Sequence, residues 1–191
     1  MNYLAHLLLA QNDADSLTGN LMGDFLRGVD RATLPPAINS GIINHIAVDT
    51  FTDTHKKVKE LKALFSPKYR RFAPIILDIT FDYCLSHNWD SFCTTPREVF
   101  IKETEQKLKS RQDMMPPRMA KMLDTLIEYD IFNSYNTLAG LENALDRTAA
   151  RLRTFYHAIE EVEPLLSEIE EVFIPFFGEL QEFVRVSGIE K

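Results

Sequence analysis

The chain has 191 residues, 45% of them hydrophobic and 26% charged, with a formal net charge of −7. That length suits one domain with a sizeable core, and the acidic balance argues against bulk binding of nucleic acid. Two cysteines, Cys84 and Cys93, exclude a disulfide framework and fit a reducing compartment.

Seven glycines and nine prolines are few for this length and favour long helices over many short strands. Residues 2–11 read as a short apolar helix that ends at Asn12-Asp13-Ala14-Asp15-Ser16. The opening lacks a basic leader, and His6 interrupts its apolar run, so neither a signal peptide nor a membrane span is expected. The expectation is a cytoplasmic protein. Asp15 or Ser16 is placed to cap a second helix that runs to about Arg27 and stops at Gly28. Leu34-Pro35-Pro36 opens a third helix, with proline in a first turn where no donor is lost. Ile38, Ile42, His45, Ile46, Asp49 and Asp53 follow at helical spacing.

Residues 55–65 read as a short basic amphipathic helix, and residues 67–89 as a longer one. Thr95 is placed to cap the next helix, with Glu98 in its first turn. Pro116-Pro117 marks the clearest break, followed by helices at about 117–131 and 134–157. An acidic, aromatic tail from about 162 to 186 is expected to kink or divide at Pro175. The pattern predicts one all-α domain, a helical bundle over 1–191. Its first 90 residues carry the polar groups, and residues 95–188 form C-terminal helices.

Three segments set polar side chains four residues apart: Asn20/Asp24, His45/Asp49/Asp53 and Asp78/Asp82. Residues so spaced share a helix face, and like charges placed that way are unfavourable on a bare helix. Carboxylates and imidazoles near a core need compensation, which a bound cation supplies. With His6 these groups suit Mn²⁺, Fe²⁺ or Mg²⁺ better than structural zinc, which favours thiolates. Such a centre polarises a phosphoryl oxygen and activates water, while a free aspartate orients the water or takes its proton. Each residue also has an ordinary alternative. Asp24 can pair with Arg27, Asp53 with Lys56 or Lys57, Asp78 and Asp82 with Arg70 and Arg71, and His6 can be a satisfied core histidine. Phosphate-loop, dinucleotide, zinc-protease and nucleophile-elbow motifs are absent, and neither cysteine has the setting of a nucleophile.

The motifs resemble those of a known family. Asn2-Tyr3-Leu4-Ala5-His6, Gly19-Asn20-Leu21-Met22-Gly23-Asp24-Phe25, and Gly41-Ile42 with His45, Asp49, Thr52, Asp53 and His55 are similar to segments of the acyl carrier protein phosphodiesterases. Leu77-Asp78, Asp82, Leu85 and His87 with Trp89 resemble a fourth such segment, and Leu138, Gly140, Leu145 and Arg151 a weaker late one. The resemblance implies an all-α, HD-domain-like metal phosphohydrolase. It also implies hydrolysis of the phosphodiester joining 4′-phosphopantetheine to a serine of acyl carrier protein, with Mn²⁺ as the preferred metal and Mg²⁺ or Fe²⁺ as alternatives. It points to Asp24, His45, Asp49 and Asp78 as metal ligands, to Asp53, Asp82 and His6 as catalytic groups, and to Asn20 as substrate-facing. The chain departs from the family at Tyr83, where a histidine is usual. A phenol, with a reference pKa of about 10, is a poor proton shuttle near neutrality. If that histidine binds metal or protonates the leaving group, Tyr83 predicts slower turnover, another metal or another phosphodiester.

An acidic carrier protein calls for a basic docking surface. Lys68, Arg70 and Arg71, opening the helix that carries Asp78 and Asp82, supply one, while the Lys56–Lys62 run reads more simply as a solvated face. Two other functions compete: an HD-type hydrolase of another small phosphoester or nucleotide, and a non-catalytic helical binder of an acidic partner. The sequence leaves the oligomeric state open.

Overall fold

A computed structural model describes residues 1–190 and contains no strand among them. The helices are α1 (Tyr3–Leu8), α2 (Ala14–Met22), α3 (Pro36–Thr54), α4 (Lys56–Leu64), α5 (Ala73–His87), α6 (Arg97–Lys109), α7 (Pro117–Glu128), α8 (Ile131–Ser134), α9 (Leu138–Leu152), α10 (Ile159–Val162) and α11 (Leu166–Ser187). Short 3₁₀ turns lie between several of them, including Gly23–Phe25 and Arg70–Phe72. One continuous apolar core runs from Met1 to Leu180, so the Pro116-Pro117 break separates helices within a single all-α domain.

Local chemistry sets the element ends, and several differ from expectation. Asp13, not Asp15 or Ser16, caps α2, accepting from the N–H groups of Asp15 and Ser16 at 3.0 Å each. Helix α2 also stops at Met22, because the chain tightens into the Gly23–Phe25 turn well before Gly28. Pro96 stands at the N-cap of α6 in place of Thr95. The stretch expected as one helix over 134–157 is α9 alone, capped by the Thr137 side chain on the Gly140 N–H and ended by Arg153 at φ 53°. Pro175 does not divide α11, which continues through it to Ser187. The packing of Phe173, Phe176 and Phe177 on both sides of that proline holds the helix together.

Two crossings position the polar centre. Helices α2 and α3 meet at glycines: a Cβ on Gly19 would lie 2.2 Å from the Ile38 carbonyl oxygen, and one on Gly41 would lie 2.6 Å from the Ser16 oxygen. Only bare backbone allows that approach. On the other side, α5 passes beneath α1 and meets α11 through aromatic contacts: Phe81 lies 5.3 Å from Phe173 and 5.6 Å from Phe176, ring centre to ring centre. Cys84 is buried in this layer, its thiol pKa pushed up by burial. It is therefore a core residue rather than a nucleophile.

Candidate metal centre

Three side chains from two helices converge at the centre. His6 on α1 and His45 on α3 stack with ring centres 3.8 Å apart and planes 17° from parallel. Asp49, one turn beyond His45 on α3, lies with Oδ1 3.1 Å from His6 Nε2 and Oδ2 3.2 Å from His45 Nε2. One ligand atom from each of His6, His45 and Asp49 falls within 4.8 Å of the others. Two carboxylates flank the trio. Asp24, in the turn after α2, has Oδ1 3.7 Å from His45 Nε2. Asp78 on α5 and Asp49 both lie 3.1 Å from the α-amino group of Met1, which sits between them.

The motif around residue 19–25 has a physical explanation at each key position. Gly19 permits the α2–α3 approach, and Gly23 leaves room for an imidazole: a Cβ there would lie 2.2 Å from the His45 ring. Asn20 is fully buried, and its main-chain oxygen lies 2.7 Å from His45 Nδ1. Donation from Nδ1 to that carbonyl fixes the ring so that Nε2, turned toward Asp49, is the atom free to bind a cation.

The electrostatics follow from burial against charge. Burial, reinforced by neighbouring His45, drops the pKa of His6 to about 3, so this ring is neutral. Burial also opposes charge on His45, but Asp49 and Asp24 outweigh it and raise its pKa. Asp49 feels the reverse: burial pushes it up, yet His45, His6 and the Met1 ammonium hold it well below the usual carboxylate range. Asp24 and Asp78 are raised, first by burial. The α-amino group is buried too, which disfavours its charge, but Asp78 and Asp49 lift it to about 10.

The donor set fits a divalent cation. Both ring nitrogens of His6 are buried without a hydrogen-bond partner, although Nε2 approaches a carboxylate oxygen closely. Orphaned imidazole nitrogens are costly inside a protein and ordinary in a metal site. Two imidazoles with a cluster of carboxylates and no thiolate suit Mn²⁺, Fe²⁺ or a similar ion.

The other sequence candidates are placed differently. Asp82 is fully buried and accepts from the N–H groups of Leu4 and Ala5 at 3.0 Å each, capping α1 from below. Burial, partly offset by those two bonds, raises its pKa to about 7. Asp53 is exposed and paired with Lys62 at 2.8 Å, an ordinary ion pair, though with a different lysine from those its helical spacing suggested. Asn20 faces inward: its Oδ1 accepts from Asn44 Nδ2 at 2.9 Å, so it is a framework residue rather than a substrate-facing one in this arrangement. Lys68 reaches the Tyr69 hydroxyl at 2.7 Å, Arg70 donates to the carbonyls of Phe65 and Ala63, and Arg71 covers the Phe72 ring. Tyr83 packs on His87, with ring centres 4.1 Å apart, and feels the charge of Glu170 of α11. Following Asp82 directly, it is turned about 100° around α5 from that side chain. Spacing missed the contributions of Gly23, Asn44 and the Met1 amine.

The all-α fold brings two histidines and an aspartate together as a donor set able to hold a metal ion. The chain belongs to the acyl carrier protein phosphodiesterase family, whose model matches residues 1–180. The protein named acyl carrier protein phosphodiesterase from Yersinia pestis is 34% identical over 187 residues, covering 93% of this chain and 94% of that protein. The protein of the same name from Klebsiella pneumoniae (strain 342) is 32% identical over 189 residues, covering 97% and 98%. That of Pectobacterium atrosepticum is 30% identical over 193 residues, covering 99% and 100%. No solved structure matches the chain.

Proposed function

We propose that this chain hydrolyses the phosphodiester between 4′-phosphopantetheine and the serine of holo acyl carrier protein, releasing the apo protein. The observation that carries the reading is the His6–His45–Asp49 trio, with its orphaned imidazole nitrogens, inside a chain of this family. His6, His45 and Asp49 would hold a divalent cation, Mn²⁺ first and Mg²⁺ or Fe²⁺ as alternatives. Asp78 would complete the set, because it already shares a positive group with Asp49. Bound there, the cation supplies Lewis acidity toward a phosphoryl oxygen and makes water a better nucleophile.

The chain's own groups do the rest. Asp24 is the most exposed of the three carboxylates, with 48% of its side chain accessible, and it makes no hydrogen bond to His45. It is placed to orient water, and its raised pKa suits it to accept a proton from that water. Neutral His6 offers a ring nitrogen to the centre, and His45, its Nδ1 on the Asn20 carbonyl, would offer Nε2 once a cation displaces the proton that Asp49 and Asp24 favour. Lys68 and Arg71, about two helical turns before Asp78, would face an acidic carrier protein, while Arg70 secures the end of α4. No helix is long and apolar enough to cross a membrane, which is compatible with a cytoplasmic enzyme.

Incubating the protein with holo acyl carrier protein and Mn²⁺, followed by intact-mass measurement of the carrier, tests this. Loss of the phosphopantetheine arm is expected. An unchanged holo mass, with metal binding verified on the same sample, overturns the substrate assignment. Turnover of simple phosphodiesters that is indifferent to charge reversal at Lys68 and Arg71 would instead favour a small phosphoester.

A further inference from the structure

Helix α11 ends at Gly188, whose φ of 64° turns the chain back onto the α1–α2 connection. Glu190 is delivered there, and its carboxylate collects three donors. Ser16 Oγ lies 2.5 Å from Oε1, the Gln11 N–H 3.3 Å from Oε2, and Asn20 Nδ2 3.2 and 3.3 Å from the two oxygens. Glu190 lies beyond residues 1–180, which the family model covers.

The contact matters because of what else Asn20 holds. Its Nδ2 also donates to the Ser16 carbonyl at 3.1 Å, and its Oδ1 accepts from Asn44, which in turn reaches the Leu9 carbonyl at 3.2 Å. Its main-chain oxygen accepts from His45 Nδ1. Each polar side-chain atom of Asn20, and its carbonyl, is therefore engaged, and the residue is wholly buried. An unbroken path of hydrogen bonds and one residue's backbone runs from the Glu190 carboxylate to the imidazole at the centre. A charged acceptor makes stronger bonds than a neutral one, so the Glu190 end of the path is the firm one.

We propose that Glu190 is a positioning residue for His45, acting through Asn20 and fixing the ring orientation that presents Nε2 to the cation. This rests on the reading of His45 as a metal ligand. Outer groups that orient a ligating histidine are worth about 10–100-fold in metal affinity, and Glu190, one residue further out, belongs at the lower end.

The test uses the full chain and its Glu190→Ala and Glu190→Gln variants, with Mn²⁺ titrated calorimetrically and His45 ring nitrogens followed by NMR in the metal-free proteins. Glu190→Ala should weaken Mn²⁺ about 10-fold at unchanged stoichiometry and shift the His45 Nδ1 resonance. Glu190→Gln, which keeps an acceptor for Ser16, should recover part of both. If Glu190→Ala binds Mn²⁺ as the wild type does and leaves the His45 resonances in place, the tail is only an anchor and the proposal fails, whatever happens to the melting temperature. A gain in turnover at unchanged affinity would make Glu190 a plug and also overturn it. If the wild type binds no metal, the function proposed above falls, while the His45 resonances still decide whether Glu190 acts on that ring.

Discussion

The two sides of α5 are built on opposite rules. One side turns Phe81 into the aromatic layer with Phe173 and Phe176, where any side chain of similar shape would serve. The other turns Asp82 under the first turn of α1 and Asp78 toward Asp49 and the Met1 amine, where individual atoms matter. Apolar packing stabilises by area and tolerates exchange, whereas the polar side is held by matched donors and acceptors whose loss leaves a partner stranded. The helix thus joins a part that keeps the fold to a part that spends stability on a reactive arrangement.

Substitutions on the two sides should separate these roles. The largest effect is expected from Asp49→Ala, which removes the carboxylate shared by both histidines. Bound metal and turnover should both vanish while circular dichroism remains helical, as metal analysis of the purified variant would show. Phe177→Ala, in the aromatic layer against Phe173 and Phe92, should do the converse. It should cost about 3–5 kcal/mol in a denaturant melt, with one metal retained per folded chain.

A smaller effect belongs to Gly23→Ala. The new methyl meets the His45 ring, so Mn²⁺ affinity should fall about 10–100-fold with little loss of helix. Smallest is Asp82→Asn, read by pH. The Asp82 pKa is raised to about 7 in the fold, so the folded state holds this proton where the unfolded state has released it. Its stabilising contribution is full below about pH 4 and is lost as pH rises through about 7. Asp82→Asn should flatten that fall in the metal-free protein, measured as melting temperature between pH 4 and pH 7.

The helices themselves were legible because their apolar spacing and proline starts are local signals. The His45/Asp49 pair was legible for the same reason: both lie on one uninterrupted helix and do face one centre. Asp53, a further turn on, is exposed and pairs with Lys62, yet lies near enough to Asp78 to help raise its pKa. At Asn20/Asp24 the helix ends at Met22, and Asp24 approaches His45 Nε2 while the Asn20 side chain bonds Ser16, Asn44 and Glu190. Asp82 satisfied the pattern, yet no local rule reveals that α1 lies across it and takes both its oxygens. His6 was singled out as a catalytic group and not as a ligand. Its place in the trio depends on how α1 stacks on α3, a tertiary fact with no periodic signature. Glu190 reaches Asn20 across 170 residues, which no motif reports.

The central claim is that two imidazoles and Asp49 hold one cation. Pulsed electron paramagnetic resonance of the Mn²⁺-loaded protein tests it most directly, since nitrogen couplings count coordinated histidines. Two coupled imidazole nitrogens are expected, one lost in His6→Ala and the other in His45→Ala. Mn²⁺ bound at full stoichiometry with oxygen ligands alone would contradict the account.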